Sequence, residues 1–196
     1  MNQTQAKRII EAVLFVSSQP FPFRRLTEVL PDVTGEAIHQ LIRTLNDEYA
    51  TSQRAFHIQE VAGGFQFVTD QHLAPWLKRA LPSPKPDAVS TAAMETLAII
   101  AYRQPMTKAE IEAIRGVDVT ASLDTLLEKR FARIVGRKES PGRPFLYGTT
   151  SEFLRHFGLK SLESLPPVST PTIQEPTAEE PAETTSVPAN ATPATP

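Results

Sequence analysis

The 196-residue sequence contains no cysteine, one tryptophan and only four histidines. The lack of cysteine excludes disulfide bonds, thiolate metal sites and cysteine nucleophiles. No apolar run approaches the roughly 20 residues that a membrane helix needs. The start MNQTQAKRII also lacks the apolar core of a signal peptide. These absences predict a soluble, cytoplasmic protein with no membrane partner.

Motifs for catalysis and phosphate binding are missing as well. The four histidines lie far apart, with no HExxH spacing, and no serine stands in a GxSxG elbow. A phosphate-binding loop needs a glycine-rich turn that leads into a helix. Here Gly142 leads instead into the strand-like segment FLYG. We therefore predict no catalytic residue, no cofactor and no metal site.

The sequence is almost neutral, with a formal net charge of −2 that does not indicate a nucleic-acid partner. Residues 166–196 are rich in proline, threonine, alanine and glutamate and have almost no large apolar residues. Such a segment buries too little surface to offset its ordering entropy, which predicts a disordered tail. Three prolines in residues 82–87 predict a short, stiff linker.

The remaining sequence forms two similar blocks, residues 1–81 and 88–165. The segment LFVSSQP (14–20) aligns with IIAYRQP (99–105), and the apolar strand FQFVTD (65–70) has a counterpart in FLYGTT (145–150). Each block reads as three helices followed by a strand hairpin and a closing helix. The third helices are expected over about 35–50 and 119–130, and in the first of them Ile38, Leu41, Ile42 and Leu45 are spaced as a core-facing stripe. Capping boxes are expected at Thr107 with Glu110 and at Thr149 with Glu152.

The order of three helices and a hairpin predicts an α+β, mainly helical fold with two tandem winged helix-turn-helix domains. Winged helices often bind DNA by placing the third helix in the major groove. Base recognition needs basic or amide side chains there, but the segment DVTASLD (118–124) carries two acids and no base. The candidate contacts, with a protein partner or with DNA, are therefore Arg137, Lys138 and Arg143 on the second hairpin. They could also face only solvent.

Protein–protein docking is the other function open to such a fold. Five aromatic residues are candidates for an apolar interface, although each could instead pack in a core. They are Phe15, Phe21, Phe23, Trp76 and Tyr102.

Three segments resemble the segregation and condensation protein B family. These are EVAGGFQFVTD (60–70), ETLAIIAYRQPMTKAEIEAIRGV (95–117) and IVGRKESPGRPFLYGTTSEFLRHFGLKSL (134–162). The resemblance covers about residues 5–166, and the combination AIIAYRQP, GRK-x-x-PGRP and LYGTT-x-x-F is specific. The family usually has a glycine where this sequence has Arg130. An arginine there predicts modest strain or a different helix ending.

The resemblance implies two winged-helix domains and a homodimer that forms mainly through the first. It also implies that the dimer binds the kleisin subunit, segregation and condensation protein A, and through it the SMC ATPase. The expected role is that of a non-enzymatic, nucleoid-associated subunit of the bacterial condensin in chromosome condensation and segregation during cell division. DNA contact would be weak or indirect. The alternative is a winged-helix transcriptional regulator that binds DNA.

Overall fold

The computed structural model of the chain describes residues 2–81 and 89–167. The predicted linker at 82–87 and residues 168–196 of the predicted tail lie outside the described residues. The described residues form helices and two small sheets, which confirms the predicted mixed, mainly helical fold.

In the first block, three helices precede a two-stranded hairpin, and a short helix closes the block. The third helix ends near the predicted residue 50. The elements are α1 (Gln3–Val16), β1 (Phe21–Pro22), α2 (Phe23–Val29), α3 (Gly35–Thr51), β2 (Phe56–Val61), β3 (Gly64–Thr69), and α4 (Ala74–Ala80) after a 3-10 turn over Gln71–Leu73.

The second block repeats the same order, with a shorter third helix. Its elements are α5 (Thr91–Arg103), β4 (Met106–Thr107), α6 (Lys108–Arg115), α7 (Thr120–Glu128), β5 (Ala132–Arg137), β6 (Phe145–Thr149) and α8 (Ser151–His156), with a 3-10 turn over Leu162–Ser164. The helix α7 has 9 residues whereas α3 has 17. The helix α7 therefore ends two residues before the predicted position.

Each block has a hydrophobic core of its own, built from the apolar faces of its helices. In the first block, Ile10, Ile38 and Leu45 are completely or almost completely buried. In the second, Leu97 of α5 and Leu126 of α7 are buried in the same way. Full burial of each such side chain contributes about 1.5–3 kcal/mol. The helical spacing of apolar residues thus encodes the two cores directly.

The first sheet has the strand order β1-β3-β2, and β2 joins β3 through a two-residue turn. Ala62 and Gly63 both have positive φ, 51° and 72°. Such dihedrals match the twist of a tight hairpin. Gly64 then pairs with Pro22 of β1. A Cβ at Gly64 would stand 2.6 Å from the Phe21 carbonyl oxygen, so close strand approach requires glycine there.

The second sheet has the equivalent order β4-β6-β5, but its hairpin carries a longer loop. A bulge lies between Ile134 and Gly136, where the register against β6 shifts. Ile134 and Val135 are both exposed on this edge strand. The loop from 138 to 144 contains the candidate residues Lys138 and Arg143, which the hairpin carries at its tip.

Helix capping agrees with the sequence at one site and differs at another. Thr107 and Glu110 form the predicted capping box at the start of α6. At α8, however, the cap is Thr150, whose hydroxyl accepts from the Phe153 N–H at 3.1 Å. The predicted cap at Thr149 was wrong by one residue. Thr149 is buried in the sheet, and its N–H donates to the side-chain oxygen of Gln104 at 2.7 Å.

The helix α7 ends in a backbone conformation that normally selects glycine. Arg130 has φ 59°, in the left-handed region. The Phe131 N–H donates to the Leu126 carbonyl at 2.9 Å, and the Arg130 N–H donates to the Leu127 carbonyl at 3.0 Å. This pair of bonds defines a Schellman motif with Arg130 at the C′ position. The strain predicted for this arginine is therefore present.

The last described segment returns to the hairpin of the first block. The Ala62 N–H donates to the Leu159 carbonyl at 2.9 Å, and the Gly63 N–H donates to the Lys160 carbonyl at 3.1 Å. The Lys160 ammonium also lies 2.9 Å from the Glu60 carboxylate. The turn amides, which no strand pairs, are thus satisfied by the second block.

Candidate protein interface

An apolar groove opens on the first block between α1, α3 and the hairpin. Its volume is about 610 Å³, and its walls come from the C-terminal ends of α1 and α3 and from the strands β2 and β3. The main apolar lining residues are Leu14, Phe15, Tyr49, Phe56 and Phe67. Phe15 is 83% exposed at the rim, and Val16 beside it is 80% exposed. An exposed apolar side chain that continues the apolar lining of a groove is typical of an interaction site, whereas isolated exposed apolar side chains are common on any surface.

Three aromatic rings in mutual contact form one wall of the groove. The ring of Phe56 lies edge-on to Tyr49 and to Phe67, with centroids 5.2 Å and 5.4 Å away. Such edge-to-face pairs add about 0.5–1.5 kcal/mol each beyond their area burial. The wall is therefore held in place before any partner binds.

The one charged group among the lining residues is Glu11 of α1. The Tyr49 hydroxyl donates to its carboxylate at 2.6 Å. Burial, and then this bond to Glu11, raise the pKa of the Tyr49 phenol well above its ordinary value. The phenol stays neutral at physiological pH, and the groove keeps one negative carboxylate at its edge.

The five predicted interface aromatics fall into three environments. Phe15 and Trp76 are exposed, Trp76 by 64%. Phe21 and Phe23 lie partly buried against the first core, where Phe23 also stacks on His39 with ring centroids 4.6 Å apart. Tyr102 is half-exposed near the end of α5 and does not line the groove. The structure therefore brings Phe15, but not the other four, to the groove.

The second hairpin places the three predicted basic residues close together but in different environments. Lys138 forms a 2.5 Å ion pair with Glu110 of the capping box. That hydrogen bond, followed by those from Thr107, lowers the pKa of the Glu110 carboxyl to about 2. The Arg137 guanidinium lies over the Phe145 ring at 4.2 Å and donates to the Arg143 carbonyl at 3.4 Å.

Asp118, one of the two acids of the segment 118–124, lies just before α7 and forms an ion pair with Lys108 at 3.3 Å. The carboxylate of Asp118 accepts from the backbone and hydroxyl of Thr120 and from Lys108. These contacts lower the pKa of Asp118 to about 2, those with Thr120 contributing most. Asp118 therefore stays negative under all ordinary conditions, where a recognition helix would need a base-reading donor.

Within residues 2–81 and 89–167, no group of three or more histidine, aspartate and glutamate side chains is placed to hold a metal ion. No helix in these ranges is long and apolar enough to cross a membrane.

Sequence reasoning missed two features of these surfaces. The aromatic wall escaped notice because Tyr49, Phe56 and Phe67 lie on three different elements and meet only in the fold. The pairing of Lys138 with Glu110 was missed because 28 residues separate them. The strand alternation in FHIQEV and FQFVT offered a usable signal for the wall, since it sets Phe56 and Phe67 on adjacent strands.

The described residues thus define a class of protein: paired small α+β modules, the first of which has an open apolar groove. Comparison with known proteins identifies the family. The family model described as segregation and condensation complex subunit ScpB matches residues 8–168. This match covers most of the sequence, and the chain belongs to this family.

Relatives agree with the family assignment. The segregation and condensation protein B of Symbiobacterium thermophilum is 50% identical over 163 residues, which are 83% of this chain and 73% of the relative. That of Geobacillus thermodenitrificans is 45% identical over 164 residues, 83% and 78% of the two chains. A solved dimer of the ScpB N-terminal domain complexed with ScpA peptide is 27% identical, covers 44% of this chain and all of its own, and gives a TM-score of 0.37.

Proposed function

We propose that the chain is a non-enzymatic adaptor of the bacterial condensin that works as a homodimer. In this proposal, residues 1–81 and 88–165 are two winged helix-turn-helix domains, and the first makes the dimer. The dimer binds the kleisin subunit, segregation and condensation protein A, and acts through it on SMC. The family description, a subunit of a segregation and condensation complex, supports a role exerted by binding.

The observation that carries this proposal is the unfilled apolar groove of the first block. Its rim exposes Phe15, a large apolar side chain that water solvates poorly, and the next residue of α1, Val16, is exposed as well. The aromatic wall of the groove is already ordered by its own ring contacts. A preformed apolar surface reduces the ordering cost that association must overcome. The groove is thus suited to a permanent protein partner.

Direct DNA reading is the competing function, and the charges around the second hairpin argue against it. Lys138 is paired with Glu110, and just before α7 lies Asp118, an acceptor paired with Lys108 where base reading needs a free donor. Arg137 and Arg143 are left as exposed cations on the hairpin. Two such contacts support only weak binding that falls steeply with salt. We therefore assign the hairpin a secondary role at most in DNA contact.

Light scattering of the full chain, alone and with its kleisin, tests the proposal. We expect a dimer alone and a stable complex that contains two copies of this chain with kleisin. Fluorescence anisotropy with duplex DNA should show weak binding, further weakened by the double substitution Arg137→Ala and Arg143→Ala. Specific binding to a defined duplex at physiological salt, without kleisin binding, would instead establish the regulator.

A further inference from the structure

The helix α4, together with the residue on either side of it, carries a complete apolar stripe although it packs into no core. Apolar residues recur along it at positions i, i+3, i+4, i+7 and i+8, the pattern of a helix face that contacts a partner. They are Leu73, Trp76, Leu77, Ala80 and Leu81. None of the residues in α4 is buried. Trp76 is 64% exposed and Leu81 is 71% exposed.

The groove and this stripe are close in sequence, but α4 does not lie in the groove of its own chain. The groove wall includes Phe56, which pairs with Thr69 at the end of β3. Only Asp70 and the 3-10 turn separate Thr69 from α4. Even so, no residue of α4 lines the groove of its own copy. One chain therefore presents an unfilled apolar groove and an uncovered apolar helix.

The charges of the two surfaces are complementary. Outside its apolar stripe α4 carries Lys78 and Arg79, and it has no acidic residue. Neither cation pairs with a carboxylate in the part of the chain that the structure describes. The groove carries the carboxylate of Glu11 at its edge. The two cations of α4 thus complement the single carboxylate of the groove, which adds specificity to the apolar contact.

We propose that α4 of each copy docks in the groove of a second copy, with Trp76 as its anchor against Phe15. A surface and its complement on one chain produce a closed dimer when a two-fold axis relates the copies, because both contacts then form together. The proposal rests on the homodimer of the proposed function and assigns its contact.

The single tryptophan of the sequence is Trp76, so intrinsic fluorescence reports this contact alone. The full chain is diluted from concentrations where light scattering shows a dimer to those where it shows a monomer. We expect the emission to shift to longer wavelength and acrylamide quenching to increase on dilution, because each Trp76 leaves an apolar groove for water.

Substitutions separate the helix from the groove. Trp76→Ala and Phe15→Glu should each weaken the dimer about 100-fold or more, since buried aromatic anchors dominate interfaces and each is lost twice. Val117→Ala, at an exposed apolar residue of the second block, is the matched control and should change nothing. Unchanged urea midpoints of the monomers show that the variants remain folded.

Mixing the two weakened variants gives the sharpest test. Neither homodimer retains an intact contact, but the mixed dimer has one, formed by Trp76 of the Phe15→Glu copy and the groove of the Trp76→Ala copy. Mixing should therefore restore dimer to an intermediate affinity, with a blue shift in the remaining tryptophan. If the Trp76→Ala variant dimerised normally, or if Trp76 stayed exposed in the wild-type dimer, the docking would be overturned but the proposed function would stand.

Two other outcomes are equally informative. Emission that is blue-shifted at every concentration, monomer included, would show α4 folded into its own groove and would overturn the exchange between copies. A chain that remains monomeric at all concentrations would remove the homodimer itself, and the proposed function would fail together with the docking.

Discussion

Replacing Arg130 by glycine is expected to stabilise the protein. Arg130 occupies the left-handed C′ position of a Schellman motif, with φ 59°. A Cβ in this conformation crowds the backbone and costs about 1–2 kcal/mol. Glycine avoids that strain, and both capping hydrogen bonds use backbone atoms that the substitution retains.

The expected gain is smaller than the strain because glycine is also freer in the unfolded chain. That freedom offsets about 0.4–1 kcal/mol of the relief. The net stabilisation should therefore be about 0.5–1 kcal/mol. For a chain of this size, 1 kcal/mol corresponds to a rise of about 2–4 °C in the melting temperature. The arginine side chain is exposed and makes no ion pair within the described residues, so the loss of its charge should not obscure the effect.

Urea denaturation of the full chain, followed by far-ultraviolet circular dichroism, provides the assay. With a typical slope of about 2 kcal/mol per molar urea, the midpoint should rise by about 0.3–0.5 M. Arg130→Ala serves as the matched control, because it removes the same side chain but retains a Cβ. Arg130→Asn should lie between the two, since asparagine tolerates left-handed backbone better than alanine.

The order glycine, asparagine, alanine is the decisive result. If alanine stabilised the chain as much as glycine, the relevant term would be the arginine charge, and the argument from backbone strain would be refuted. If glycine destabilised the chain, the positive φ would not be the conformation that this segment adopts in solution.

Three further changes are expected to have specific effects. Gly64→Ala should destabilise the protein by about 2–3 kcal/mol in urea melts, because its Cβ would clash with the β1 backbone, whereas Gly136→Ala has open space and should be neutral. The pKa of Glu110 is lowered from 4.5 to about 2, so the ionised carboxylate stabilises the folded state above pH 4.5 and loses this effect as pH falls toward 2. The difference in urea midpoint between wild type and Glu110→Gln should therefore shrink over that range. Tyr49→Phe removes the hydrogen bond to Glu11 and should cost about 1 kcal/mol of stability at pH 7. Because the fold raises the phenol pKa, Tyr49 ionises in the unfolded chain first, and the stability advantage of the wild type over Tyr49→Phe should decline as pH rises above 10.

Local sequence patterns encoded most of the secondary structure. The helical spacing of Ile38, Leu41 and Leu45 predicted a core-facing α3, and all three are buried. The alternation of apolar and polar residues in FHIQEV and FQFVT, on either side of Ala62 and Gly63, predicted the hairpin of β2 and β3. These features could be read from the sequence because each depends on neighbours within a few residues.

Helix ends were harder to place than helix cores. The capping box at Thr107 was predicted correctly, but the cap of α8 is Thr150. Two successive threonines offer equivalent hydroxyls, and only the pairing of Thr149 with Gln104 in the sheet decides which one caps the helix. That choice depends on a contact between residues 45 positions apart.

The sequence alone determined that two blocks share one order of helices and strands, and which apolar residues face their cores. It also determined that the third helices begin without a basic side chain that could read DNA bases. It also determined which aromatic and basic residues were candidates. Tertiary structure decided their roles: Phe23 packs against a core, Lys138 is paired with Glu110, and Phe15 meets an aromatic wall at an open groove. The physical reason is that burial and charge pairing depend on neighbours from distant segments, and only the fold brings these together.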